Sequence, residues 1–185
     1  MRDVITSFGV IKEMLEDRGI NISSLKNFSD KELGVMSKTN SIFSLDVNEH
    51  LKIIYYMNQK FKINDLKKYF SSEDKVILIF KEKINNLNIK NLKEQDLHSV
   101  EIFNIRELLF NISRHQLQPK FEILRDEKEI NMILEKYQIK SKSNLPIILK
   151  TDPMSKYLDL NTGDIVKITR VSPSSAEAIV YRYCV

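Results

Sequence analysis

The residues here best suited to chemistry are carboxylates placed beside lysines. A metal-dependent nuclease uses an acidic residue followed by Asp/Glu-x-Lys on an adjoining strand. The carboxylates hold Mg²⁺, and the lysine orients water or steadies transition-state charge. Asp65-Leu66-Lys67 has that spacing, yet the apolar residues around it recur at helical intervals. Lys81-Glu82-Lys83 falls at the end of an apolar run and lacks the intervening residue. Both stretches read as solvated surface charge. His50, His98 and His115 are scattered, and none falls in a His-x-x-x-His or similar metal spacing. The four glycines, at 9, 19, 34 and 163, form no phosphate-cradling loop. One cysteine, Cys184, allows neither an intrachain disulfide nor a Cys-based zinc site, and reads as a small apolar core residue. No nucleophile motif is present. The sequence therefore offers no catalytic constellation, no cofactor or metal site and no small-molecule substrate. A Mg²⁺-dependent nuclease built on the first half stands as the alternative.

The chain that must position these residues has 185 of them, room for one ordinary domain or two small ones. Hydrophobic residues are 42% and charged residues 29%, which excludes a disordered chain. A net charge of +4 excludes a polycation that binds nucleic acid by phosphate neutralisation alone. Apolar runs such as Ile53–Met57 and Val76–Phe80 are far shorter than the roughly 20 residues a membrane span needs. Acidic residues interrupt the apolar positions near the start, against the layout of a secretory signal. A soluble, intracellular protein with no membrane partner is expected. A bias toward Lys, Ile and Asn inflates every apparent basic patch.

In the first half, Val4, Phe8, Ile11 and Leu15 share one helix face, and Gly19 supplies a C-cap. Ser29-Asp30-Lys31-Glu32 forms a capping box for a second helix. Phe43, Leu45 and Val47, then Leu51–Tyr56, predict two strands joined by a turn near Asn48-Glu49. Ile63–Phe70 and Ile84–Leu92 have helical spacing. Val76–Phe80 predicts a strand covered on both faces. His98–Phe103 predicts another strand, leading into a helical Ile105–Phe110. This alternation predicts an N-terminal α/β domain, residues 1–113, with a small mixed sheet.

Residues 114–185 carry 12 basic and 9 acidic residues, against 17 and 16 before them. Phe121–Leu124 predicts a strand, and Asp126 caps a helix whose buried stripe is Ile130, Ile133, Leu134 and Tyr137. Leu145–Lys150 predicts a second strand. Asp152-Pro153 starts a second helix, with Asp as cap and Pro at the first helical position. Asn161–Asp164 is a turn into the strand Ile165–Arg170, and Ala178–Val185 returns as the last strand. The expectation is a C-terminal α+β domain with a small antiparallel sheet and two helices, so that the whole chain is α+β. Tyr181 and Arg182, adjacent on a strand, face opposite sides of the sheet, one inward and one toward a partner or phosphate. Arg170 and Arg182 are the best candidates for an interface, given the planar multi-donor guanidinium.

His115, Leu117, Pro119, Tyr137, Leu145, Pro146, Asp152, Pro153, Tyr157, Gly163, Arg170, Ser172, Tyr181 and Arg182 also carry a resemblance in their order and spacing. The chain resembles the fifth-largest subunit shared by nuclear DNA-directed RNA polymerases I, II and III. The archaeal counterpart of that subunit corresponds to the C-terminal domain alone. The resemblance covers about residues 106–185 in detail. Over 1–105 it extends to Asp17-Arg18-Gly19 and the order of elements, as in the eukaryotic two-domain form. Departures include Phe121 where a second His is usual and Asp159 where Gly is usual. Asn85–Asn88 also replaces a Thr-Pro-Ser-Ala stretch.

What the resemblance implies is a non-catalytic polymerase subunit in the nucleus. Its C-terminal domain, 114–185, would be the assembly domain, docking on the largest subunit among the other polymerase subunits. Its N-terminal domain, 1–113, would be a jaw near downstream duplex DNA, touched weakly and without regard to sequence. Lys81, Lys83, Lys90 and Lys93 are the candidate DNA-proximal residues. His115 would pack between the domains.

Overall fold

In the computed structural model, residues 2–25, 27–38, 41–58, 61–67, 69, 75–82, 84–94, 100–172 and 176–185 are described. They divide into two compact units, Met1–Phe110 and Asn111–Val185.

The first unit holds α1 (Arg2–Asp17), α2 (Asp30–Lys38), β1 (Ile42–Asn48), β2 (Leu51–Tyr56), α3 (Ile63–Lys67), β3 (Lys75–Phe80), α4 (Asn86–Glu94) and β4 (Val100–Asn104). Its sheet runs β1-β2-β3-β4. β1 and β2 are antiparallel, a hairpin through Asn48–Leu51, and the remaining pairings are parallel. The sheet is mixed because a two-residue turn can reverse a strand, whereas parallel neighbours need a crossover, here through α3 and then α4.

β2 and β3 lie inside, buried almost end to end, which is why both read as continuous apolar runs. Ile54, Tyr56, Val76, Leu78 and Phe80 form one core with Leu66 of α3 and Leu92 of α4. On the opposite face, α1 packs its Val4, Phe8, Ile11 and Leu15 stripe. There Phe28 packs between Phe8 and Tyr55, tilted against the first and edge-on to the second. Gly19, at φ +76°, ends α1 in the left-handed conformation a C-cap glycine supplies. The capping box of α2 closes as expected, with Glu32 Oε2 accepting from the Ser29 N–H at 2.8 Å.

The expected helix over Ile105–Phe110 is a short 3₁₀ turn, Ile105–Leu108, followed by a second over Ile112–Arg114. Asn104 and Asn111 each accept a backbone N–H two residues on, at 2.9 Å in both cases. Two asparagine caps seven residues apart start two short turns in place of one helix.

The second unit holds β5 (Lys120–Leu124), α5 (Glu127–Lys136), β6 (Ile147–Ile148), α6 (Pro153–Leu158), β7 (Ile165–Ser172) and β8 (Ala176–Cys184). The sheet order is β5-β7-β8-β6. The three long strands pair antiparallel, as the sequence predicts, but β6 lies parallel to β8. Leu145–Lys150 is expected as a strand, yet only Ile147 and Ile148 pair. Pro146 has no N–H to give, and the Asp152 N–H turns back to Leu149 at 2.9 Å to open α6.

Both sheet faces are packed. α5 puts Ile130 and Ile133 against Leu124, Leu145 and Ile165 on one. Cys184, Val166, Ile168 and Ile148 meet Leu160 on the other. Cys184 is a buried core residue there.

Candidate functional site

The residues singled out in the second unit fall into three groups. The first closes turns and caps. His115 is exposed, and its Nδ1 accepts the Leu117 N–H at 3.2 Å while its carbonyl accepts the Gln118 N–H at 2.9 Å. This turn holds up Leu117, which is 83% exposed, just before the half-buried Pro119 leads into β5. Asp152 Oδ1 accepts the N–H groups of Met154 and Ser155 at 2.9 and 3.4 Å, with Pro153 opening α6. Gly163 adopts φ +104° and donates its N–H to the Cys184 carbonyl at 3.0 Å, tying the 161–164 turn to the end of β8. Only glycine reaches that conformation without strain.

The second group is internal. Leu145 is buried under α5. The exposed Pro146 offers its carbonyl to the Tyr183 N–H at 2.9 Å. Tyr157 is 3% exposed, and its hydroxyl accepts from Asn111 Nδ2 at 3.1 Å and from Ser113 Oγ at 3.2 Å. Sequence spacing gives no sign of Asn111 and Ser113 as partners of Tyr157, since more than forty positions separate them.

The third group lies on the strands of the sheet. Tyr181 and Arg182 point to opposite faces of β8. Tyr181 lies against the α5 core, its ring 5.9 Å from that of Tyr137. Burial beside that ring pushes its hydroxyl pKa up. Arg182 is exposed and donates from Nη1 to the Ile147 carbonyl at 2.8 Å. Arg170 is exposed on the same face as Arg182. On the other face, Glu122 bridges Lys120 at 2.6 Å and Lys167 at 3.5 Å. The hydrogen bond from Lys120 holds the Glu122 carboxyl below its ordinary pKa.

In the first unit, Lys81 is exposed just past β3, and Lys90 is exposed on α4. Lys93 also lies on α4, while Lys83 and His98 lie outside the described residues. Asp65 and Lys67 sit on the short helix α3, which leaves their carboxylate-x-lysine spacing off any strand. Among the described residues no group of three or more His, Cys, Asp or Glu is placed to hold a metal ion. No described helix is long and apolar enough to cross a membrane.

Sequence reasoning missed a buried ion cluster in this unit. Arg18, past the end of α1, donates to both oxygens of Glu101 on β4 at 3.0 and 2.7 Å, and Lys75 of β3 lies 3.1 Å from Glu101. The fork-to-fork geometry matches guanidinium to carboxylate. With the partners 83 positions apart, no local pattern could have revealed it.

These arrangements define a two-unit α+β protein whose polar side chains cap, brace and present. The second unit, over residues 110–184, matches the family described as RNA polymerase Rpb5, C-terminal domain. The chain is 28% identical over 186 residues to the Dictyostelium discoideum DNA-directed RNA polymerases I, II, and III subunit rpabc1, covering 95% of this chain and 93% of that protein. It is 31% identical over 191 residues to the Arabidopsis thaliana DNA-directed RNA polymerases IV and V subunit 5B, covering 92% and 84%. Against the Methanococcus maripaludis DNA-directed RNA polymerase subunit Rpo5, identity rises to 44% over 71 residues, 38% of this chain but 88% of the archaeal one. The chain belongs to the RNA polymerase Rpb5 family and is an RNA polymerase subunit. None of these matches supports a nuclease.

Proposed function

We propose that this chain is a non-catalytic subunit shared by nuclear DNA-directed RNA polymerases I, II and III. In this reading the second unit is the assembly domain, docking on the largest subunit, and the first is part of a lower jaw near downstream DNA. The carrying observation is the reach of the similarity. The Dictyostelium protein, whose name states that it serves polymerases I, II and III, matches across both units. The archaeal relative matches only about the length of the second. The better-matched unit is thus the one common to both kinds of polymerase, as expected of the assembly part.

The geometry favours a positional role. Capped turns and a buried ion cluster make rigid platforms, and the Mg²⁺ chemistry of nucleotide addition belongs to other subunits. The motif residues of the second unit serve assembly by fixing its shape and by presenting Leu117, Arg170 and Arg182. The lysines of the first unit, Lys81, Lys83, Lys90 and Lys93, are the proposed DNA-proximal groups. Contacts of that kind go to phosphates and carry no sequence information. Nuclear localisation follows from the same reading.

The jaw reading is tested in a stalled elongation complex carrying a photoreactive nucleotide in the downstream duplex. Crosslinks are expected on peptides from residues 1–110, weakening with salt. Labelling of other subunits alone would overturn it.

A further inference from the structure

The sheet of the second unit segregates charge between its faces. The register places Phe121 of β5, Ile168 of β7 and Val180 of β8 in one row across the three strands. Arg170 and Ala178 lie on one side of that row, and Val166 and Arg182 on the other. Cys184, Val166 and Ile168 are buried with Leu160; Phe121, Ile123 and Leu158 pack against them, and Arg170 and Ala178 lie beyond this core. Arg170 beyond that core and Arg182 beside Val166 are both exposed, and between them on β8 Val180 and Ala178 are half-buried. The strand acids Glu122 and Glu177 both fall on the opposite face, where Lys120 and Lys167 pair with Glu122. Among the described strand residues, this face carries two cations and no carboxylate.

We propose that this face docks an acidic segment of a partner chain, with an apolar side chain on Val180 and Ala178 and carboxylates reaching Arg170 and Arg182. The inference rests on the reading of the second unit as the assembly domain and adds the chemistry of what it receives. Arg182 lies four residue steps along β8 from Ala178, the cross-strand partner of Arg170, so the arginines stand about 13 Å apart along the strands. Arginine suits such a site because its planar fork pairs two carboxylate oxygens at once. Nucleic acid is the poorer fit. A duplex offers one phosphate charge per about 1.7 Å, which calls for a continuous basic track, whereas this face has two separated cations with an apolar floor between them. The face has the order of an interface, apolar centre and charged rim.

The test uses the full tagged chain assembled in its polymerase, with Ala178→p-benzoylphenylalanine as a photocrosslinker. Irradiation should join position 178 to a polymerase peptide rich in Asp and Glu. Arg170→Glu should lower recovery of the crosslinked partner about tenfold at 0.15 M salt, and Arg170→Lys by less. Arg170 is the residue to change, because Arg182 also supports the Ile147 carbonyl. A crosslink to a neutral or basic peptide, a crosslink to nucleic acid, or no crosslink in a complex that contains the polymerase subunits would each overturn the proposal. Failure of the polymerase subunits to co-purify with the unaltered chain would instead overturn the assembly reading beneath it.

Discussion

Removing Glu101 should unfold the first unit more readily than any surface substitution, and the size of the effect follows from burial. The side chains of Arg18 and Glu101 are 5% and 14% exposed, and two hydrogen bonds join them. Glu101→Ala takes a doubly hydrogen-bonded carboxylate away from a guanidinium that is largely out of water. Breaking a buried pair from one side costs about 3–5 kcal/mol. Lys75, 34% exposed, re-solvates with little penalty, so the loss falls mainly on Arg18. The exposure left to Glu101 places the cost near the lower end, about 3 kcal/mol. With a urea dependence of about 2 kcal/mol per molar, the midpoint of this unit should fall by about 1.5 M. Hydrogen exchange in urea is the suitable assay, because amides of α1 and β4 report on the first unit and those of β8 on the second. The double variant Arg18→Leu/Glu101→Leu should recover most of the loss, since replacing a whole buried pair by apolar groups is close to neutral. A loss below about 0.5 kcal/mol for Glu101→Ala, in the range of ordinary surface substitutions, would refute the reasoning. So would an equal loss of protection in β8.

Further outcomes follow from single residues. Burial raises the Tyr55 hydroxyl pKa, opposed only by its hydrogen bond with Ser7. The neutral form is thus favoured by folding, and this stability is complete below the unfolded value of about 10 and is lost as pH rises above it. Tyr55→Phe should cost about 1 kcal/mol at pH 7, yet make the unit less sensitive to alkali, as urea midpoints between pH 7 and 11 would show. Asp152→Ala should destabilise the second unit by about 1 kcal/mol in thermal unfolding, while Asp152→Ser, which keeps a capping oxygen, should cost much less. Asp159 ends α6 at φ 55°, in the left-handed region that glycine enters without a steric penalty. Asp159→Gly should be tolerated, and Asp159→Val should be less stable than it by about 1–2 kcal/mol.

The parts of this fold legible in the sequence are those fixed by local chemistry. The apolar run of β3, the hairpin at Asn48-Glu49, and the caps at Ser29, Asp126 and Asp152 each carry their signal within a few residues. Pairings remote in sequence carry none, so Arg18 with Glu101 and Tyr157 with Asn111 had to come from the structure. Strand ends misread where two local signals competed. Leu145–Lys150 looks like one strand by composition, but Pro146 and the turn before Asp152 leave only Ile147 and Ile148 to pair. Ile105–Phe110 has helical spacing, yet the asparagine at 104 and the next at 111 divide it. At the candidate interface, the residue types of Arg170 and Arg182 were legible as interface chemistry. That they share a face with no carboxylate among its described strand residues became clear only from the strand register.

The most direct test of the central claim is affinity purification of the tagged full chain from its native cells at mild salt, with quantitative mass spectrometry of what accompanies it. A subunit shared among polymerases should bring down the two largest polymerase subunits in near-stoichiometric amount, from more than one polymerase class. Recovery of the chain alone, or with unrelated partners, would contradict the account.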